Sequence, residues 1–155
     1  MKNVLRFVLP IIVLCAPSFA APPQNADTAV IEKFIEKQAT QEDGEEYEDA
    51  RGVIAGDLNH DGVADVAVLF TIEGQNGTNN YIQYLAVFVR GKAGLVPVAH
   101  TLAGGKLNRD VELLSIKNNV ILCKTLSYRA NDPASTPSKK GKARFVLVKR
   151  RLKEL

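Results

Sequence analysis

Cysteine and histidine are scarce in this 155-residue chain, with two of each. Cys15 falls inside an N-terminal apolar run, so the exported form is expected to keep Cys123 alone, which excludes an intramolecular disulfide. Cys123 sits in Val120-Ile121-Leu122-Cys123 and reads as a small buried hydrophobe, not a reactive thiol. Two histidines exclude a His-rich zinc pattern, and neither a Gly-x-Ser-x-Gly elbow nor a phosphate loop occurs. His60 lies in a polar loop and reads as surface. His100, in Val98-Ala99-His100-Thr101-Leu102, reads as a strand residue, not a general base. Beyond the N-terminus no stretch is long and apolar enough to span a bilayer. Helical patterns between strands are lacking too, which argues against a parallel doubly wound sheet.

What the N-terminus does contain is a secretory pattern. Lys2 and Arg6 precede an apolar stretch from Phe7 to Cys15, and Ser18-Phe19-Ala20 places small residues at the −3 and −1 positions. Residues 1–20 are therefore expected to be a signal peptide, cut after Ala20 or Ala21, with 21–26 a flexible spacer and 27–155 one domain in the periplasm or outside the cell. Leu14 before Cys15 disfavours an acylated lipoprotein.

Charge is unevenly placed. Residues 22–89 hold 13 acids against 3 bases, and residues 90–155 hold 15 bases against 4 acids. In one compact domain the two halves are expected to satisfy each other, and no nucleic-acid reading motif appears. Six carboxylates in 42–49 read as a solvated loop.

The rest of the pattern is one helix followed by strands. Asp27 is a candidate N-cap, and Val30, Ile31, Phe34 and Ile35 form an apolar stripe, so a helix should run to about Gln38–Gln41. Strands are expected over 51–55, 65–72, 81–90, 95–102, 110–117, 120–128 and 143–149. Pro97 argues for an edge position, and Asn118-Asn119 for a two-residue hairpin turn. Residues 129–141 read as a long polar loop and 150–155 as a basic tail. The fold class expected is α+β: an antiparallel meander of about seven strands with the helix packed on one face.

One stretch stands out, Gly56-Asp57-Leu58-Asn59-His60-Asp61-Gly62-Val63-Ala64-Asp65, running into Val66-Ala67-Val68-Leu69-Phe70. Oxygen side chains at every second position, followed by a glycine, suit a hard cation that needs six to eight oxygens around a sharp turn. The helix-flanked EF-hand fails, because position 12 is Val68 and both flanks read as strands. The stretch resembles the calcium loops of FG-GAP and integrin-type repeat proteins, present here once. That resemblance implies one Ca²⁺ held by Asp57, Asn59, Asp61, the backbone of Val63, and Asp65; it carries over neither a propeller nor adhesion.

Two functional classes follow. The preferred one is a calcium-stabilised, non-catalytic binding or interaction module, expected to be a monomer with an unidentified protein partner. An inhibitor or immunity-type protein is its variant. A hydrolase is the weaker class, since the loop carboxylates would be committed to the ion.

Overall fold

The computed structural model describes residues 25–155, so the expected signal peptide and positions 21–24 of the expected spacer lie outside it. Helix α1 (Asn25–Gln41) precedes nine strands: β1 (Glu45–Glu46), β2 (Gly52–Gly56), β3 (Asp65–Glu73), β4 (Tyr81–Gly91), β5 (Gly94–Gly105), β6 (Arg109–Lys117), β7 (Val120–Ser127), β8 (Lys139–Val148) and β9 (Arg151–Glu154). The strands form one antiparallel sheet in the order β1-β3-β4-β5-β6-β7-β8-β9, with β2 also paired to β3. The architecture is thus α+β and mostly β.

β3 organises the packing. Every residue from Asp65 to Ile72 is buried, as the nearly unbroken run Val66-Ala67-Val68-Leu69-Phe70 demands of a strand covered on both faces. One face carries Val66, Val68, Phe70 and Ile72 against Ile31, Ile35 and Ala39 of α1. Phe34 adds edge-on contacts, with ring centroids 6.2 Å from Phe70 and 5.3 Å from Phe88. The other face carries Ala67 and Leu69 against Val111, Ile121, Cys123, Ala143 and Phe145 of β6–β8. Strands that far apart in the sheet order meet only because the sheet folds over on itself. The result is three layers: α1, then β1–β5, then β6–β9.

The fold-over happens at Gly104-Gly105. Pairing between β5 and β6 is confined to Gly105↔Arg109. A Cβ on Gly104 would stand 2.4 Å from the Arg109 carbonyl oxygen and 2.8 Å from Gln83 Oε1, so the corner requires a bare backbone. β5 lies between β4 and β6 instead of at an edge, but only its Gly105 pairs with β6, so Pro97 falls on a side free of ladder bonds to β6, beside a register shift opposite Val87/Phe88. Asn118 and Asn119 take φ of 50° and 62°, the left-handed pair that a two-residue hairpin needs.

Several expectations change. The helix begins at Asn25, so Asn25 and Ala26 belong to it and Asp27 lies in its first turn instead of capping it. Seven expected strands become nine. β1 arises within the charged loop 42–49 because the edge of β3 offers Ile72 and Glu73 as backbone partners, a pairing without any side-chain period. β9 forms in the basic tail, where Leu152 packs on the core and a short alternation hides it from a hydropathy reading. β8 starts at Lys139, because a ladder with Ser127–Lys124 does not depend on the lysines that make this stretch look like loop.

The expected charge satisfaction between halves also fails. Among the described residues, Arg90–Asp27 is the one ion pair joining an acid before residue 90 to a base at or after it. Arg51–Glu32 and Arg51–Glu46 stay within the first half, and Arg109–Glu154 and Lys124–Glu112 within the second. Sequential strands pair with their neighbours, so a meander keeps each half's charges in its own layer.

Gly104→Ala is expected to lower unfolding stability by about 1–3 kcal/mol, the usual cost of forcing an extra methyl into a filled site. Urea denaturation followed by far-UV circular dichroism checks it. An unchanged midpoint would remove the corner from this account.

Candidate metal centre

Gly56 and Asp65 pair across the end of the β2–β3 hairpin, leaving residues 57–64 as its loop. The loop is wrapped around the Asp57 carboxylate. Asp57 Oδ1 accepts from the backbone N–H of Asn59 at 3.2 Å and of His60 at 2.7 Å, while Oδ2 accepts from Gly62 at 3.0 Å. This path takes His60 to φ 67° and Gly62 to φ 81°, left-handed conformations for which glycine is suited and histidine is uncommon. His60 is exposed, as expected.

Asn59 and Asp61 close a second ring. Asn59 Nδ2 donates to Asp61 Oδ2 at 2.8 Å, and the Asp61 N–H donates back to Asn59 Oδ1 at 3.0 Å. Val63 enters through its backbone, donating its N–H to Asp61 Oδ1 at 2.8 Å. Four of the five expected site residues, Asp57, Asn59, Asp61 and Val63, thus lie in this loop and are linked through its backbone, and the fifth, Asp65, is the first residue of β3.

Asp65 is placed differently. It is 0 % exposed, at the point where β3 enters the core. Its Oδ2 accepts from the N–H of Leu58 at 3.0 Å, and its Oδ1 from that of Arg90 at 2.9 Å. Burial pushes its carboxyl above the ordinary value; the two N–H donors oppose that, and the charges of Asp61 and Asp57 add to it. Desolvation likewise works against the Asp57 carboxylate, but the N–H groups of Gly62, His60, Asn59 and Asp61 outweigh it and hold Asp57 below the ordinary range. The signs of the linkage are opposite. The Asp57 contribution to stability is present above the unfolded carboxylate pKa and lost on acidification through its lowered folded value. The penalty for ionised Asp65 is present at neutral pH and relieved as pH falls through its raised folded value.

Among the described residues, no group of three or more His, Cys, Asp or Glu side chains stands arranged to hold a metal ion. The loop carboxylates are turned to their own backbone N–H groups. Each carboxylate oxygen has two lone pairs, so such a bond leaves acceptor capacity. The donor set that would hold a hard cation is Asp57, Asn59, Asp61, the Val63 carbonyl and Asp65, whose two oxygens also brace the loop through the N–H groups of Leu58 and Arg90. Seating one requires Asn59 Nδ2 to release Asp61 Oδ2.

Three supporting residues escape a reading of the loop alone. Leu58 is 2 % exposed and pins the loop into the core shared by β3 and β6–β8. It is the one apolar residue between Asp57 and Gly62, which is a usable signal. Arg90 donates its Nε to the Ala64 carbonyl at 3.2 Å and its two terminal nitrogens to Asp27 at 3.2 and 2.6 Å. Asp27 therefore serves as the fork's acceptor on α1, a partnership that no sequence spacing announces. Asn119 Nδ2 donates to the Asp57 carbonyl at 3.1 Å, tying the loop to the β6–β7 turn.

The remaining candidates are placed plainly. Cys123 is fully buried and free, and burial pushes its thiol up to about 11. His100 is exposed, with its ring edge-on to Phe34 at 5.6 Å and Tyr84 at 6.0 Å. Comparison with protein-family models, curated proteins and solved structures gave no match to this chain.

Asp65→Ala is expected to cost about 2–5 kcal/mol, because it leaves the N–H groups of Leu58 and Arg90 without acceptors in the core. Asn59→Ala, on the exposed side of the loop, is expected to cost under about 1 kcal/mol. Equilibrium denaturation of both variants checks the contrast, and equal losses would refute the bracing role of Asp65.

Proposed function

We propose that residues 57–65 bind one Ca²⁺ through Asp57, Asn59, Asp61, the Val63 carbonyl and Asp65, and that the ion stabilises an exported, non-catalytic interaction module. The observation that carries this reading is the gathering of three carboxylates, Asp57, Asp61 and Asp65, at one hairpin end. There Asp61 and Asp57 disfavour the charge on Asp65, and Arg90, whose backbone N–H bonds Asp65, has its terminal nitrogens engaged by Asp27. A hard cation offsets that repulsion in a way the side chains do not. The ion supplies charge neutralisation and a fixed point for the loop. The protein's own residues supply the oxygens, the Gly62 turn and the anchoring through Leu58 and Asn119.

Export rests on the pattern of residues 1–20, and a stabilising ion suits a domain whose lone described cysteine is unpaired. The described helix is not long and apolar enough to cross a membrane. The protein partner of the module is unidentified, and an inhibitor or immunity-type role is the form such binding would take.

A thermal melt with calcium and with chelator tests the reading. With free ion 100-fold above its dissociation constant, the gain is about 2.7 kcal/mol, or roughly 10 °C in midpoint for a domain of this size. Asp61→Ala should abolish the shift while leaving the chelated protein folded. A midpoint insensitive to calcium in the unsubstituted protein would sink the proposal.

A further inference from the structure

The outer face of the β6–β9 layer is uncovered, and it is cationic. Inward residues are fixed by the core: Ile121 and Cys123 on β7, Ala143 and Phe145 on β8. Side chains alternate across a strand, so Leu122, Lys124 and Leu126 point outward on β7, as do Lys140, Lys142, Arg144 and Val146 on β8. The register sets Lys124 beside Lys142, Leu122 beside Arg144 and Leu126 beside Lys140. On β9, Lys153 faces Val146 and Arg151 faces Val148. Lys124, Lys140, Lys142, Arg144, Arg151 and Lys153 are all exposed. The acids sharing the face are Glu112, paired with Lys124 at 2.7 Å, and Asp110, which accepts from the Tyr81 hydroxyl at 2.6 Å.

Placing Lys142 directly opposite Lys124 disfavours folding, because like charges face each other across the ladder. The sheet tolerates this without drawing on the acids of the first half, which lie in the other layers. The face is broad, with charges spread over neighbouring strands about 5 Å apart, and its open cavity of about 220 Å³ is lined by Asp110 and Glu112 beside Lys124, which does not focus the cations on one anion. Half-buried Leu122, Leu126 and Val146 lie between the cations. Tyr81 and Tyr128 stand only at its rim, with their hydroxyls on Asp110 and on the Ala134 carbonyl, so the cationic strands β7–β9 themselves carry no outward ring for the base stacking that single-stranded nucleic acid uses. Spread cations among aliphatic side chains match a surface of many laterally distributed anionic headgroups.

We propose that this outer face of β6–β9 docks the protein onto an anionic phospholipid surface. The segregated charge fixes the orientation, since the acid-rich layers of the first half are repelled by the same headgroups. The site is independent of the hairpin loop.

Co-sedimentation with vesicles of phosphatidylglycerol and phosphatidylcholine in equal parts, and with phosphatidylcholine alone, tests it. The protein should partition onto the anionic vesicles only, and lose that binding as salt is raised to about 0.3 M. Lys142→Glu with Arg144→Glu should weaken partitioning more than about tenfold, as reversing two surface charges implies. Lys33→Glu with Lys37→Glu, on the exposed side of α1, should leave it unchanged. Far-UV circular dichroism confirms that each pair folds, and Lys140→Gln with Lys153→Gln provides a milder second pair expected to weaken binding several-fold. Absence of binding to anionic vesicles, equal binding to neutral ones, equal losses in the helix pair, or retention on polyglutamate in place of vesicles would each overturn the proposal.

Discussion

The whole arrangement depends on burying β3 from both sides. A strand of this composition leaves no face that water can wet, so two layers must be found for it, and the chain supplies one before it and one after it. Helix α1 brings Ile31, Ile35 and Ala39 to the even-numbered side. β6–β8 bring Val111, Ile121, Cys123 and Phe145 to the odd-numbered side, which they reach only by turning the sheet at Gly104-Gly105. Neither layer is a separate unit, because each is completed by the strand between them. Burial of Phe70, Phe88 and Phe145 alone, at about 1.5–3 kcal/mol each, is comparable with the net stability of a small domain.

The price of such a strand falls on its first residue. Asp65 must carry a carboxylate into the core, and the fold meets it with two backbone N–H groups, one from the loop and one from β4. Arg90 then extends the connection outward to the Ala64 carbonyl and to Asp27 on α1. The same short stretch is bonded to the β6–β7 turn through Asn119. The hairpin loop is therefore a place where all three layers are joined by polar contacts as well as by packing.

The core was readable from residue pattern alone wherever the pattern was long. The α1 stripe, the span of β3 and the Asn118-Asn119 turn follow from local rules, and each occurs where those rules put it, whereas the burial of β3 on its second face depends on the later strands. What escaped were features set by partners distant in the chain. β1 and β9 owe their existence to an available edge, not to their own side chains. The fork from Arg90 to Asp27 spans 63 residues, and no local rule reaches across that separation. At the loop, the residues and the glycine turn were legible because their geometry is local. The role of Leu58 and the burial of Asp65 were not, because they depend on how the hairpin sits in the core.

Charge follows the same logic as strand pairing. A meander keeps sequence neighbours together in space, so a chain whose acids precede its bases folds into a molecule with an acidic side and a basic side. Exposed charges separated by more than about 10 Å in physiological salt hardly feel one another, so packing does not force the two sides together. The one pair that does cross, Arg90–Asp27, forms because both residues are already held beside the mouth of the β2–β3 loop. A cation held in that loop would sit beside Arg90–Asp27, the one ion pair among the described residues that joins the two halves of the sequence. From there the loop is bonded to the helix through Arg90 and Asp27 and to the β6–β7 turn through Asn119, so an ion that fixed the loop would act on the helix and on both sheet layers at once.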